Sequence, residues 1–229
     1  MDVDKNGWHA HGDLSFYDIN PFPKTLFMRG IMGPFCFIPH MECNHGIVNI
    51  RHTIKGGLEI NGRQEVFDGG TGYIEKDWGT SFPTGYIWMQ SHDFDQNSTF
   101  MFSAADIPFL NRRFLGILCF LYIDGRYISV STYNGAKITA YKLENDRVAI
   151  TLSNKKYMVS IDIKKAKGSS LQAPAKGLMD RTIEETLNAT ATIDFLQANK
   201  KPLYQGSLTG AGLEICGDVE AMFYKYLKF

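Results

Sequence analysis

The run Gly72–Pro83, followed closely by Tyr86–His92, holds the densest set of side chains in the sequence that could do chemistry. Read as extended strand, Tyr73, Glu75 and Asp77 project from one face, while Ile74, Lys76 and Trp78 project from the other. In the second stretch Tyr86, Trp88, Gln90 and His92 share a face, with Ile87 and Met89 opposite. Polar and aromatic groups thus alternate within single faces, which a face serving only to fill a core does not require. Two carboxylates on one face repel, so in a dry setting one of them is pushed toward holding its proton. A protein makes a carboxylic acid available at neutral pH in this way. The blander reading is that Lys76 and nearby arginines neutralise Glu75 and Asp77 on a solvated strand, and pattern alone leaves both open.

A second constellation lies upstream. Glu42 and His45 are three apart, and His52 follows seven residues later. An imidazole near a carboxylate can carry a proton to or from a substrate oxygen. The competing reading has these histidines bonded to backbone in a turn. His9 and His11, two apart, make only a weak metal signal. The four cysteines, Cys36, Cys43, Cys119 and Cys216, form no CxxC pair, so the expectation is no metal site and reduced thiols. For Trp8 and Trp88 plain core packing is the commoner role of any single Trp.

These groups need a rigid frame, and turn punctuation supplies the outline of one. Asn61-Gly62 divides Leu58–Ile60 from Arg63–Phe67, and Asp124-Gly125 divides Gly116–Ile123 from Arg126–Tyr133. Asn134-Gly135 leads into Ala136–Leu143, with further turns at Glu144–Asp146, Ser153–Lys156 and Ala198–Pro202. Such dipeptides tolerate the positive φ of tight hairpins. Between the turns apolar residues alternate, as in Tyr157, Val159, Ile161 and Ile163, or Ala189, Ala191, Ile193 and Phe195. The pattern predicts an all-β fold, an antiparallel β-barrel over residues 69–229. Asp68–Gly72, rich in glycine, is the expected junction. Residues 1–68 hold four or five strands, too few to close a barrel when about eight are needed, and read as part of a second one.

Composition narrows the function classes. The 229 residues carry 24 basic and 24 acidic side chains, for a net charge of zero. No basic surplus or stripe is available for phosphates, so nucleic acid is not an expected partner. Aromatics make up 13% of the chain, a pointer to a lipophilic small-molecule ligand. The longest apolar run, Phe114–Ile123, is about half what a membrane-spanning helix requires. With no export signal visible, the expected location is cytoplasmic, with peripheral membrane contact and self-association as further expectations.

The elements Glu75-Lys76-Asp77-Trp78-Gly79, Phe82-Pro83 and Trp88-Met89-Gln90 resemble the signature of the tocopherol cyclase family. Phe37–Gly46, Thr132–Lys137 and Gly210–Glu214 are similar to other blocks of its bacterial members. The resemblance implies a two-part lipocalin-like β-barrel and closure of a chromanol ring on a prenylated hydroquinone. That reaction takes no cofactor: an acid protonates an alkene, a tertiary cation forms, and the phenol oxygen attacks it. On this footing Asp77 and Glu75 are the candidate acids, with Glu42 and His45 as further catalytic candidates. Trp78 and Trp88 would face the cation, while Tyr73, Gln90 and His52 would bind the substrate. Family members usually carry an upstream half with its own Trp-containing strand, and nothing of that kind precedes Met1. The expectation is a fragment or a short form. Alternatives are a non-catalytic lipophile binder and an enzyme acting on another polyene.

Overall fold

Asn61 and Gly62 adopt φ values of 51° and 81°, the left-handed angles that a two-residue hairpin needs, and they join two antiparallel strands. The structure, a computed structural model, describes residues 1–5, 7–94 and 97–227. By its internal contacts the chain forms two units: Met1–Phe22 with Ile47–Lys76, and Pro23–Gly46 with Asp77–Phe229.

The first unit is built on a five-stranded sheet of β1 (Asp2–Lys5), β2 (Trp8–Pro21), β3 (Cys43–Ile60), β4 (Arg63–Val66) and β5 (Gly70–Gly79). The order is β1-β2-β3-β4, and β5 also pairs with β3. The register sets Ala10 against Ile60, Gly12 against Leu58 and Phe16 against Ile54, so the apolar residues of both strands fall on one face. Asp68–Gly72 forms a turn and the start of β5. Asp68 Oδ1 accepts from the Gly56 N–H at 2.7 Å, and Gly69 N–H donates to the Ile54 carbonyl at 3.0 Å. This glycine-rich stretch is therefore hydrogen-bonded to β3 inside the first unit.

The second unit holds β6 (Tyr86–Phe94), β7 (Ser98–Phe109), β8 (Arg112–Ile123), β9 (Arg126–Ser129) and β10 (Lys137–Leu143). It continues with β11 (Arg147–Ser153), β12 (Tyr157–Lys164), β13 (Ser169–Ala175), β14 (Leu178–Gln197), β15 (Pro202–Cys216) and α1 (Val219–Tyr226). The ladder runs β10-β11-β12-β14-β15-β6-β7-β8-β9, with β13 added on β14, and its pairings are antiparallel. Strand accounts for 68% of the structure, far above the 20–25% of an average domain. The all-β antiparallel class expected from the turns is the class observed. One face of this sheet is the core. Ile87, Met89, Phe100, Phe102, Cys119, Leu121, Leu152, Ile161 and Phe195 are buried together there, each large side chain worth roughly 1.5–3 kcal/mol of hydrophobic stabilisation.

Asn134-Gly135 does not make a hairpin. Thr132–Asn134 is a 3₁₀ turn in which Asn134 Oδ1 accepts from the Ser131 N–H at 2.9 Å. The side chain thereby competes for the backbone donor that a hairpin would use. As a result β9 and β10, adjacent in sequence, stand at opposite ends of the hydrogen-bonded ladder.

Helix α1 is the element that strand periodicity does not foresee. Asp218 caps it, accepting from the Ala221 N–H at 2.8 Å. Val219, Met222 and Phe223 are buried in the sheet's core, and the Phe223 ring lies 4.9 Å from that of Tyr141. Tyr226 donates its hydroxyl to Asp106, which also pairs with Arg113 Nε at 2.9 Å. Among the described residues no helix is long and apolar enough to cross a membrane.

Candidate functional site

In the second unit the start of β3 and the end of β5 bring two of the candidate catalytic residues together. Nδ1 of His45 lies 2.8 Å from Oδ1 of Asp77, and the two side chains are 13% and 29% exposed. The pair is thus sheltered but reachable. Backbone bonds fix both strand ends. The Glu42 carbonyl accepts from the N–H groups of Thr80 and Ser81 at 2.8 and 3.1 Å, and Asn44 Nδ2 donates to the Trp78 carbonyl at 3.3 Å. A Cβ at Gly79, whose φ is +148°, would collide with that Glu42 oxygen; the close crossing requires glycine here. The His45 N–H donates to Met32 Sδ at 3.1 Å.

Glu42 and Asp77 also act on Cys43. Burial, chiefly, and then the charges of Asp77 and Glu42 push its thiol up to about 12, so Cys43 stays protonated and is not a nucleophile. Glu42 therefore meets the site through its carbonyl and its field. Trp78, next to Asp77, is 49% exposed.

Trp88 and Gln90 stand on the face of β6 opposite the core residues Ile87 and Met89. Gln90 is 6% exposed, and its side-chain amide lies 3.0 Å from Nδ1 of His92. The Trp88 ring lies across Gly212, and its buried Nε1 has no hydrogen-bond partner among the described residues. A buried indole donor left open is a place where a ligand acceptor fits. Two nearby side chains, Tyr86 and Arg181, have partners that the sequence does not reveal because those partners are distant in the chain. Tyr86 donates to Glu214 at 2.6 Å, and Arg181 donates to the carbonyls of Pro83 and Thr84 at 2.6 and 2.9 Å and to Cys216 Sγ at 2.8 Å. Arg181 thereby pins the Phe-Pro segment of the signature.

In the first unit Tyr73 donates to Glu75 Oε2 at 2.5 Å. The two candidate acids therefore have different partners: a phenol for Glu75 and an imidazole for Asp77. His52 is 3% exposed, and its buried Nδ1 has no hydrogen-bond partner among the described residues. The Phe16 ring covers it at 4.4 Å, and burial lowers its pKa below the usual histidine value, favouring the neutral ring. A Cβ at Gly72 would collide with its Nε2, so Gly72 makes room for the imidazole. Among the described residues no group of three or more His, Cys, Asp or Glu side chains is placed to hold a metal.

A family profile described as tocopherol cyclase-like matches residues 23–217, and the chain belongs to that family. No curated protein sequence matches it significantly. Among solved structures, kievitone hydratase from Nectria haematococca aligns with 11% identity over 76% of this chain and 53% of its own, with a TM-score of 0.46. An AttH-like protein from Nitrosomonas europaea aligns with 10% identity over 93% of this chain and 63% of its own, with a TM-score of 0.43. The chain thus spans less than two thirds of either relative.

Proposed function

We propose that this protein is an acid-initiated cyclase of the tocopherol cyclase type, closing an oxygen ring on a prenylated hydroquinone. The observation that carries the reading is the 2.8 Å contact between His45 and Asp77, made inside the Glu-Lys-Asp-Trp-Gly run that marks the family. Asp77 gives its proton to the trisubstituted alkene, so a C–H bond forms as the carboxyl O–H bond breaks. The tertiary cation is met by the phenol oxygen, whose lone pair makes the new C–O bond. The phenol proton passes to the Asp77–His45 pair and restores the Asp77 carboxyl group for the next turnover. Nothing is oxidised or reduced, and the product is an isomer of the substrate.

The supporting groups follow from the same chemistry. A tertiary cation is stabilised by aromatic faces, for which Trp78 and Trp88 are the candidates. Within this unit Gln90 is the candidate to hold a quinol oxygen, and the open Trp88 Nε1 donor suits a phenolic or carbonyl oxygen.

The test is incubation of the protein with a panel of prenyl quinols of varied ring substitution and chain length, with chromanol detected by mass spectrometry. Conversion that disappears in Asp77→Asn supports the reading. Binding of prenyl quinols by the wild type without any conversion replaces it with lipophile carriage. Conversion of another polyene but of no quinol keeps the acid and changes the substrate.

A further inference from the structure

Residues at three hairpin turns of the second unit, β8–β9, β11–β12 and β14–β15, surround a common hollow. A cavity of about 760 Å³ opens there, walled by Tyr127, Ile128, Tyr157 and Leu203, with Arg126 and Lys156 among its lining residues. This is within the usual size of small-molecule sites. It arises because the ladder does not close: β9 is an end strand, so its side chains face the β11–β12 and β14–β15 turns across a gap. Behind the walls the Phe195 ring of the core lies 5.9 Å from that of Tyr157, so the hollow is a surface site with apolar walls.

The rim is basic and held in place. Asn154 Oδ1 accepts from the N–H groups of Lys156 and Tyr157, both at 2.9 Å, fixing the turn that carries Lys155 and Lys156. The Ala198 N–H donates to the Lys156 carbonyl at 2.7 Å, tying that turn to the one carrying Lys200 and Lys201. Asn199 Oδ1 accepts from the Lys201 N–H at 3.1 Å. None of these four lysines has an ion-pair partner among the described residues. Arg126 meets Asp124 only at 3.8 Å, with both side chains more than half exposed, a pair that water screens. Cations on a fixed rim above aromatic and aliphatic walls fit a ligand with an anionic head on an apolar chain.

We infer that this seam binds an anionic amphiphile, head against Arg126 and Lys156 and chain against Tyr127, Tyr157, Ile128 and Leu203. Neither His45 nor Asp77 lines the cavity, so the site stands apart from the proposed acid. Two sources share the chemistry, a free long-chain carboxylate and an acidic lipid of a bilayer.

The experiment uses the full chain and 11-(dansylamino)undecanoic acid as fluorescent probe, displaced by oleate or by oleyl alcohol. Oleate should compete at least about tenfold better than the alcohol of the same chain. The exposed charge reversals Arg126→Glu and Lys156→Glu together should weaken the probe by about tenfold or more, since each cation near an anionic surface contributes several-fold. Leu203→Asp, which places a charge on the apolar wall, should weaken it as well. In a second arm the protein is sedimented with vesicles of phosphatidylglycerol and phosphatidylcholine or of phosphatidylcholine alone. Pelleting only with the acidic vesicles, lost in the double reversal, supports the site with a bilayer as the source. Oleate binding without pelleting supports it with a free amphiphile. Equal competition by oleate and oleyl alcohol, or a double reversal that changes neither arm, overturns the inference.

Discussion

Nδ1 of His45 lies 2.8 Å from Oδ1 of Asp77, although 32 residues separate them in the chain. The two meet because the beginning of β3 and the end of β5 are drawn together by the Glu42 carbonyl, which accepts from the backbone beyond Asp77. Asp77→Asn keeps the shape and removes the strong acid. Conversion of a prenyl quinol should fall by about 10²–10⁴-fold, with binding little changed when followed by intrinsic tryptophan quenching. A loss below tenfold would move the acid elsewhere, and Glu75→Gln and Glu42→Gln are then the substitutions to assay. His45→Gln should change the pH profile of turnover as well as its height, because the returning proton loses its carrier.

Gly72→Ala tests the fit of His52. The added methyl meets Nε2 of a ring that is buried and covered by Phe16. Overpacking of this kind costs about 1–3 kcal/mol, to be read as a lower midpoint in urea. In the background of His52→Ala the same methyl finds space, so the second cost should be markedly smaller. Equal costs in both backgrounds would mean that the ring does not occupy the space above Gly72.

His52 also makes stability depend on pH. Burial lowers its folded pKa below the unfolded value of 6.5, so the unfolded chain binds the proton more readily. The favourable contribution is present above pH 6.5 and declines as the pH falls below it. Urea midpoints measured from pH 8 down to pH 5 should drop in the acid half of the range, and His52→Gln should flatten that part of the curve. An unchanged curve would assign the acid sensitivity to other groups.

Phe223 carries the last helix. It is fully buried against the sheet's core and touches Tyr141, so Phe223→Ala should cost about 3–5 kcal/mol. Asp218→Ala, which removes the cap from the Ala221 N–H, should cost about 0.5–2 kcal/mol. Calorimetric melting of both variants measures the difference, and a Phe223→Ala no worse than the cap variant would mean that α1 is not anchored through that ring.

What could be read from the sequence was whatever is decided within a few residues. Asn61-Gly62 and Asp124-Gly125 turn the chain because Asn61 and Asp124 accept φ values of 51° and 49° before a glycine. Asn134-Gly135 offers the same letters, yet Asn134 spends its side chain on the Ser131 N–H and makes a different turn. Helix α1 left a trace, an aspartate followed by apolar residues at Val219, Met222 and Phe223, but it spans only eight residues and is easily lost among strands. The candidate residues were visible as types on strand faces; their partners were not. Nothing local says that Asp77 meets His45, or that Arg181 reaches back 97 residues to the Thr84 carbonyl. Those pairings depend on register between distant strands.

The ladder of the second unit consists of two stretches made mainly of chain-neighbouring strands, β6 to β9 and β10 to β15, joined where β15 lies against β6 and sets Gly212 beside Gln90 and Glu214 beside Trp88. Closing that joint brings together positions 122 and 126 residues apart, whereas most of the hairpins on either side close over a few residues. Loop-closure entropy therefore favours the two meanders forming first and meeting afterwards. The face bearing Tyr86, Trp88 and Gln90 is the one completed by the late joint. During refolding its environment should mature after most strand signal has appeared, leaving Trp88 fluorescence to report the slowest phase.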